Sequence, residues 1–256
     1  RQMRLTALPA FADNYIWVLA DDAGRGVIVD PGDAAPVFAA VAAGLRPQAV
    51  LVTHHHADHC GGVPALQARW PDLPVYAPAD ARLGFPHRVA ADGDGVQAGD
   101  FGFEVLFVPG HTRSHVAFHG AGTLFSGDTL FSLGCGRLFE GTPAQMLASL
   151  RRLAALPADT RVCCGHEYSL ANAAFAAVAD PDNAALRART EEIRHMRQLG
   201  RPSLPVRLAS ELDCNPFLRT ATPAVRASIA ARLGRRPADE VETFAELRRW
   251  KDGFQA

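Results

Sequence analysis

Short apolar runs broken by glycine, proline and aspartate fill the first two thirds of the chain and predict β-strands. We expect these strands at 3–8, 15–19, 27–29, 49–52, 75–77, 103–108, 115–118, 123–126 and 161–164. Apolar residues at helical spacing interrupt them at 34–43, 62–69 and 143–156. Alternation of strand, loop and helix is typical of sheet layers covered by helices on the outside.

The pattern changes at about Tyr168, where alanine, leucine, arginine and glutamate at helical spacing begin to dominate. We expect helices at 171–179, 184–199, 223–233 and 238–251, with irregular segments at 201–205 and 215–218. The sequence therefore predicts a larger domain at 1–172 and a small helical domain at 173–256.

A heptapeptide at 53–59, THHHADH, directly follows one of the predicted strands. Alternation along the chain sends His54 and His56 to the same side, and the turn then brings Asp58 and His59 round to face them. Imidazole and carboxylate are the ligands that zinc and similar metals prefer. A solvated polar turn is the alternative, but it would crowd four titratable groups together without an ion. We therefore predict a metal site here.

Three other segments place a ligand type at the end of a strand, with a glycine before it: Gly110-His111-Thr112, Gly127-Asp128-Thr129 and Gly165-His166-Glu167. The ligand count then predicts two metal ions, one held by His54, His56 and His111, the second by Asp58, His59 and His166, with Asp128 bridging them. Two ions about 3.5–4 Å apart acidify a bound water at neutral pH. The two divalent ions carry four positive charges, and Asp58, Asp128 and a bridging hydroxide carry three negative ones. The net positive charge that remains would stabilise the oxyanion formed when a carbonyl is hydrolysed.

Neighbouring residues of the same chemical types have other interpretations. His55 should point away from the metals by alternation, and His115 is expected to begin a strand or orient a ligand. Cys60 is interpreted as a small packing residue rather than a ligand.

Composition narrows the function classes. The formal net charge is −1, which argues against a nucleic-acid or anionic membrane surface as partner. Five cysteines, an odd number, argue against a disulfide framework and are typical of a reducing compartment. We expect a cytoplasmic monomer acting on a small molecule.

The metal motifs resemble those of the metallo-β-lactamase superfamily, and further segments resemble the glyoxalase II family within it. The latter are Asp13-Asn14-Tyr15, Asp30-Pro31-Gly32, Cys135 to Thr142, Cys164 to Tyr168, Asn215 to Arg219 and Arg248 to Asp252. This resemblance implies an αββα four-layer sandwich followed by a small C-terminal α-helical domain that helps to bind glutathione.

The resemblance also implies a thioester hydrolase that converts S-D-lactoylglutathione to D-lactate and glutathione in methylglyoxal detoxification. Arg248 and Lys251 would hold the glycyl carboxylate of glutathione, while Arg137, Tyr168 and Asn172 would line the rest of its groove. Phe139 stands where some relatives place a tyrosine and can offer only apolar contact. Two divalent ions are implied, zinc first, with iron or manganese also tolerated by this ligand set.

Other functions remain open at this point. A lactonase, β-lactamase or nuclease would keep the fold and change the substrate, although a nuclease should carry a basic groove. A persulfide dioxygenase would use a single iron and leave Asp58, His59 and His166 without an ion. A structural metal site would be closed, whereas seven ligands over two ions leave positions open for water.

Overall fold

The computed structural model of the protein describes residues 2–255. Their backbone contacts cluster into two compact units. Unit 1 takes the described residues through Phe107 together with Ser114–Gly127, and unit 2 takes Val108–Arg113 and the described residues from Asp128 onward.

Unit 1 contains a six-stranded sheet in the order β1 to β6: Arg4–Ala10, Asn14–Ala20, Arg25–Val29, Arg46–Leu51, Val75–Ala77 and Arg88–Val89. The first three strands are antiparallel, while β3 to β6 pair in parallel. Parallel strands bring their carboxyl ends to one edge of the sheet. Residues that follow β3, β4 and β5 therefore lie side by side.

Four strands of a second sheet also belong to unit 1, in antiparallel order β7 to β10: Gly95–Ala98, Phe101–Phe107, Val116–Gly120 and Thr123–Gly127. The helices of this unit are α1, α2 and α3, at Ala35–Ala42, Ala57–Cys60 and Val63–Arg69. Ile16, Ile28 and Val50 from the first sheet pack with Val37 and Leu66 from the helices in a buried apolar core.

Unit 2 is mainly helical. Its elements are β11 Leu130–Phe131, β12 Gly134–Cys135, α4 Pro143–Ala154, β13 Arg161–Cys164, α5 Ser169–Ala179, α6 Ala184–Gln198, β14 Val206–Arg207, α7 Leu208–Cys214, a 3-10 turn Pro216–Leu218, α8 Pro223–Leu233 and α9 Glu240–Asp252. Leu133 packs with Leu186, Ile193 and residues of α5 in a buried cluster.

Most elements expected from the apolar pattern are present, with ends shifted by a few residues. The helix expected at 143–156 ends at Ala154 and buries its predicted apolar face. The strand expected at 115–118 begins at Val116 and runs to Gly120. Residues 216–218, expected to be irregular, form a 3-10 turn, because the Asn215 side chain accepts a hydrogen bond from the Phe217 N–H.

The cysteines and the helix lengths bear on two further expectations. All five cysteines lie within the described residues, are buried and form no disulfide there. Among residues 2–255, no helix is both long and apolar enough to cross a membrane.

Candidate metal centre

The heptapeptide leaves the carboxyl end of β4 and turns into α2. His56 is the N-cap of that helix, while Asp58 and His59 lie within its single turn. The rings of His54 and His56 are 4.8 Å apart between centroids, and those of His54 and His59 are 4.2 Å apart. Four predicted ligands of unit 1 thus lie in one short segment, and His54 and His59 are buried.

Asp30, which follows β3, fixes the orientation of two of these imidazoles. Its carboxylate accepts hydrogen bonds from the Thr53 N–H at 2.8 Å, the Thr53 hydroxyl at 2.7 Å and His59 Nδ1 at 2.9 Å. Because the Thr53 hydroxyl donates to Asp30, it accepts from His54 Nδ1, at 2.9 Å. Both rings therefore carry their proton on Nδ1 and keep the lone pair on Nε2 for an ion.

Asp30 has a backbone φ of +55°, in the left-handed region that an aspartate tolerates better than most residues. One oxygen of Asp30 and one ring nitrogen each of His54 and His59 lie within 4.8 Å of one another, a group that could hold a metal. Three donors already occupy the Asp30 carboxylate, so we interpret this residue as a support for the ligands rather than as a ligand.

Asp58 is held from the other side by Asn14, which begins β2. The Asn14 amide donates to Asp58 Oδ2 at 3.0 Å and to the Asp58 carbonyl at 3.2 Å. Asp58 Oδ2 lies 3.2 Å from His59 Nε2. Gly32 lets the backbone of Asp58 pack closely against its own backbone, because a Cβ at position 32 would lie 1.8 Å from the Asp58 carbonyl oxygen.

Three residues that are not predicted as ligands, His55, Cys60 and His115, lie in the heptapeptide or beside it. The buried ring of His115 stacks on His54, with centroids 4.6 Å apart. His55 Nδ1 lies 3.6 Å from Asp80 Oδ2, and hydrogen bonds from Arg82 hold the pKa of the Asp80 carboxyl well below its usual range. Burial raises the pKa of the Cys60 thiol to about 11, and its S–H donates to the His55 carbonyl at 3.4 Å, in keeping with a packing role.

Unit 2 carries the other three predicted ligands. Asp128 Oδ2 lies 3.4 Å from His111 Nε2 and 3.3 Å from His166 Nε2, and all three residues are buried. His111 Nδ1 donates to the Arg137 carbonyl oxygen at 2.9 Å, so its Nε2 carries a lone pair. A carboxylate oxygen and an imidazole lone pair at this distance would repel each other, and a cation between them removes the repulsion.

Close backbone packing sets these positions. A Cβ on Gly136 would lie 1.9 Å from the Asp128 carbonyl oxygen and 3.1 Å from His111 Nδ1. The His166 ring stacks on Tyr168 with centroids 4.6 Å apart and an interplanar angle of 1°. Glu167, between them, accepts hydrogen bonds from the Ser203 N–H and hydroxyl at 2.7 and 2.6 Å. The segment after β13 is therefore anchored at the residue between His166 and Tyr168.

The six residues expected to bind substrate all belong to unit 2, but they differ in exposure. Arg137 is exposed, and Phe139 is 63% exposed with its ring centroid 5.1 Å from that of His111. Asn172 and Arg248 are buried: the Asn172 amide donates to the Ser132 carbonyl at 3.0 Å, and the Arg248 guanidinium donates to the Cys135 carbonyl and to Asp252. Their substrate roles stay predictions.

Lys251 is half-buried near the C-terminal end of α9. Burial lowers the pKa of its ammonium, and the positive charges of Arg248 and Arg137 lower it further. Three positively charged side chains close enough to lower the pKa of one of them suit an anionic ligand. This is the chemistry expected for a carboxylate of the substrate.

Asn14, Thr53 and Glu167 hold or neighbour the predicted ligands, yet their spacing in the sequence carries no signal. In the sequence, Asn14 and Asp30 stand out only as part of a family resemblance. Hydrogen bonds to residues 44 and 29 positions away define their role, and such contacts appear only in the folded chain.

Comparison with known proteins gives the class first. The sequence profile described as Metallo-beta-lactamase superfamily matches residues 11–166 of this chain. The crystal structure of BLEG-1, a B3 metallo-beta-lactamase, aligns with a TM-score of 0.61 and 26% identity, covering 85% of this chain and 99% of that one. The fold is therefore the α/β sandwich of that superfamily, followed by a helical region.

The family follows from closer relatives. The profile described as Hydroxyacylglutathione hydrolase C-terminus matches residues 167–254. A protein of Stenotrophomonas maltophilia named hydroxyacylglutathione hydrolase is 60% identical over 99% of this chain and 100% of its own length. This chain belongs to the hydroxyacylglutathione hydrolase family. The two profiles meet between residues 166 and 167, and the boundary expected near Asn172 stays a prediction.

Proposed function

We propose that this protein hydrolyses the thioester of hydroxyacylglutathiones, with S-D-lactoylglutathione as its main substrate and D-lactate and glutathione as products. The observation that carries the proposal is the 60% identity to a protein of that name along nearly the entire length of both chains. The ligand chemistry described above supports it independently of the name.

We propose seven side chains as ligands of two metal ions: His54, His56 and His111 for one, Asp58, His59 and His166 for the other, and Asp128 shared by both. The residues fit such a pair, because Nδ1 of His54, His59 and His111 is committed to an acceptor and Nε2 keeps its lone pair. When bound, the ions supply an acidified water and a Lewis acid for the carbonyl.

The protein's own groups orient this site and bind the remote part of the substrate. Asp30 and Asn14 hold His59 and Asp58 in place. Lys251 and Arg137 present positive charge for a carboxylate of glutathione, and Arg248 adds to it from a buried position. Binding energy gained there, far from the thioester, holds the carbonyl in position for attack.

The thioester needs little acid catalysis from the protein. A thiolate leaves without full protonation, so no lysine or additional carboxylate is required beside the proposed ligands. Phe139 and the stacked pair of Tyr168 and His166 offer aromatic surface in the same unit. We propose that Tyr168 and Asn172 line the glutathione groove and that Phe139 contributes apolar contact only.

Zinc is the metal we propose first, since imidazole and carboxylate are its common ligands. Iron and manganese are also suited to this set. A solved structure of the relative TTHA1623, described as a di-iron-bound form, is 34% identical with a TM-score of 0.54, covering 64% of this chain and 91% of that one. We further propose that the protein acts as a monomer in the cytoplasm.

The test is an assay of S-D-lactoylglutathione hydrolysis together with elemental analysis of the same sample. Thioester hydrolysis with two metal ions per chain is expected. A homoserine lactone and a β-lactam serve as control substrates, and turnover of either above that of the thioester would overturn the proposal. One iron per chain with consumption of oxygen and a persulfide would indicate a dioxygenase instead.

A further inference from the structure

A fully buried carboxylate in unit 2 has no part in the site described above. Glu211, on α7, has no exposed surface. It accepts hydrogen bonds from the Leu133 N–H at 2.7 Å, the Ser132 hydroxyl at 3.0 Å and the Asn215 amide at 3.1 Å. Burying a charge is costly unless the charge is well hydrogen-bonded. The three donors therefore stabilise Glu211 in its buried position and indicate that its carboxylate has a structural role there.

The atoms that Glu211 holds belong to the turn between β11 and β12. We call residues 129–137 the ligand hairpin, because Asp128 directly precedes them and the carbonyl of Arg137 closes them. At its tip Leu133 has a φ of +60°, a left-handed conformation that is strained for a leucine. The hydrogen bond from the Leu133 N–H to Glu211 stabilises that conformation.

Other buried side chains bind five backbone carbonyls of the ligand hairpin. The Asn215 amide donates to Phe131 and Gly134, at 3.1 and 3.0 Å, and the Asn172 amide donates to Ser132 at 3.0 Å. The guanidinium of Arg248 donates to the carbonyls of Cys135 and Gly136. A hairpin of two-residue strands has little stability of its own, so its shape depends on these side chains.

Both ends of the ligand hairpin meet proposed metal ligands. The Gly136 N–H donates to the Thr129 carbonyl at 3.1 Å and closes the hairpin beside Asp128. The Arg137 carbonyl accepts from His111 Nδ1 and thereby selects the tautomer that leaves Nε2 for a metal. A shift of the hairpin would move the Asp128 backbone and the acceptor of His111 together.

We propose that Glu211 is a positioning residue for the metal centre, which acts through the ligand hairpin to fix Asp128 and the tautomer of His111. The inference rests on the proposed function only in taking these two residues as metal ligands. It also gives Asn172 and Arg248 a role in holding the hairpin, beside the substrate roles expected for them.

The test compares two substitutions at position 211. In Glu211→Gln, the remaining oxygen still accepts from the Leu133 N–H and the Asn215 amide. The new amide nitrogen can donate to the Ser132 hydroxyl, which donates to Glu211 in the wild type. Glu211→Met keeps the length of the side chain but removes every acceptor. Zinc dissociation constants are measured by chelator competition, together with kcat, KM and the unfolding temperature of the metal-free protein.

For Glu211→Met we expect the zinc ion assigned to His54, His56 and His111 to bind about 10–100-fold more weakly, because Asp128 and the acceptor of His111 Nδ1 both shift, with kcat reduced far more than KM is changed. Glu211→Gln should restore zinc affinity to within about threefold of the wild type. Ile229→Ala, a substitution in the buried face of α8, is the control for a general loss of stability. It should lower the unfolding temperature and leave both zinc affinities unchanged.

If Glu211→Met binds zinc as tightly as the wild type, the inference is overturned. It is also overturned if Ile229→Ala and Glu211→Met unfold at the same temperature and lose the same amount of zinc affinity. If Glu211→Met does not fold, Ser132→Ala takes its place: weaker binding of one zinc ion is expected, and unchanged binding of both overturns the inference. Zinc affinity is read without substrate. A wild type that binds two ions but does not hydrolyse the thioester would therefore contradict the proposed function alone.

Discussion

Replacing Asp30 by asparagine tests how the protein prepares its imidazoles for a metal. The substitution preserves size and removes one acceptor. The Thr53 N–H must face the remaining oxygen, at 2.8 Å in the wild type, so the new amide nitrogen faces the Thr53 hydroxyl and His59 Nδ1. It donates to Nδ1, and the proton of the His59 ring moves to Nε2. His59 then has no lone pair for an ion.

The size of the effect follows from these contacts. Loss of a residue that orients a ligand lowers metal affinity by roughly 10–100-fold, which is about 1.4–2.8 kcal/mol. The Thr53 hydroxyl no longer donates to Asp30 and becomes free to donate to His54 Nδ1, which favours the upper end of this range. The metal-free fold should lose no more than about 2 kcal/mol, since most hydrogen bonds at position 30 are replaced.

The assay is competition for zinc between the protein and a chromophoric chelator, with kcat for S-D-lactoylglutathione measured on the same preparations. Asp33→Asn is the matched control. It makes the same chemical change three residues later, where the carboxylate accepts from the Ala35 N–H at 3.1 Å. Equal zinc affinities in Asp30→Asn and the wild type would refute the claim that Asp30 sets the tautomers of His59 and His54.

Three further predictions concern other residues. Asp128→Ala should lose metal and kcat by more than the roughly 10–100-fold caused by losing a supporting residue; elemental analysis and turnover check this, and retention of two ions would contradict the shared role. Lys251→Ala should raise KM about five- to tenfold, roughly 1–1.4 kcal/mol, with kcat little changed. Because its pKa is lowered, the Lys251 ammonium loses its proton earlier than an ordinary lysine as pH rises. The wild-type KM should therefore rise on the alkaline side, and Lys251→Arg should move that rise to higher pH; an identical profile in both would exclude Lys251 from binding. Phe139→Tyr should tighten binding of glutathione modestly, measured by calorimetry, and equal affinity would mean that this side chain does not face the ligand.

Much of the fold could be predicted because its signals are local. The helix α4 begins as expected at Thr142-Pro143, where the Thr142 hydroxyl and the Gln145 side chain form a capping box. The strands are short apolar runs bounded by glycine or proline, and the proposed ligands follow them directly. Each ligand motif therefore marks the end of a strand, and both the motif and the strand can be predicted from residues that are neighbours in the sequence.

The missed elements lack such signals. The strands β11 and β12 have two residues each and no period to detect. The helix α7 buries Glu211 completely, and a glutamate in a sequence indicates an exposed face. Its burial depends on donors from Ser132 and Leu133, nearly 80 positions earlier in the chain. The same holds for Asp30 and Asn14, whose roles depend on partners that only folding brings near.

The most direct test of the account is a crystal structure of the zinc-loaded protein with anomalous scattering recorded at the zinc edge. We predict two zinc peaks about 3.5–4 Å apart. Imidazole nitrogens of His54, His56 and His111 should surround one, Asp58, His59 and His166 the other, and Asp128 should contact both. A single peak, or two peaks that these side chains do not surround, would contradict the account.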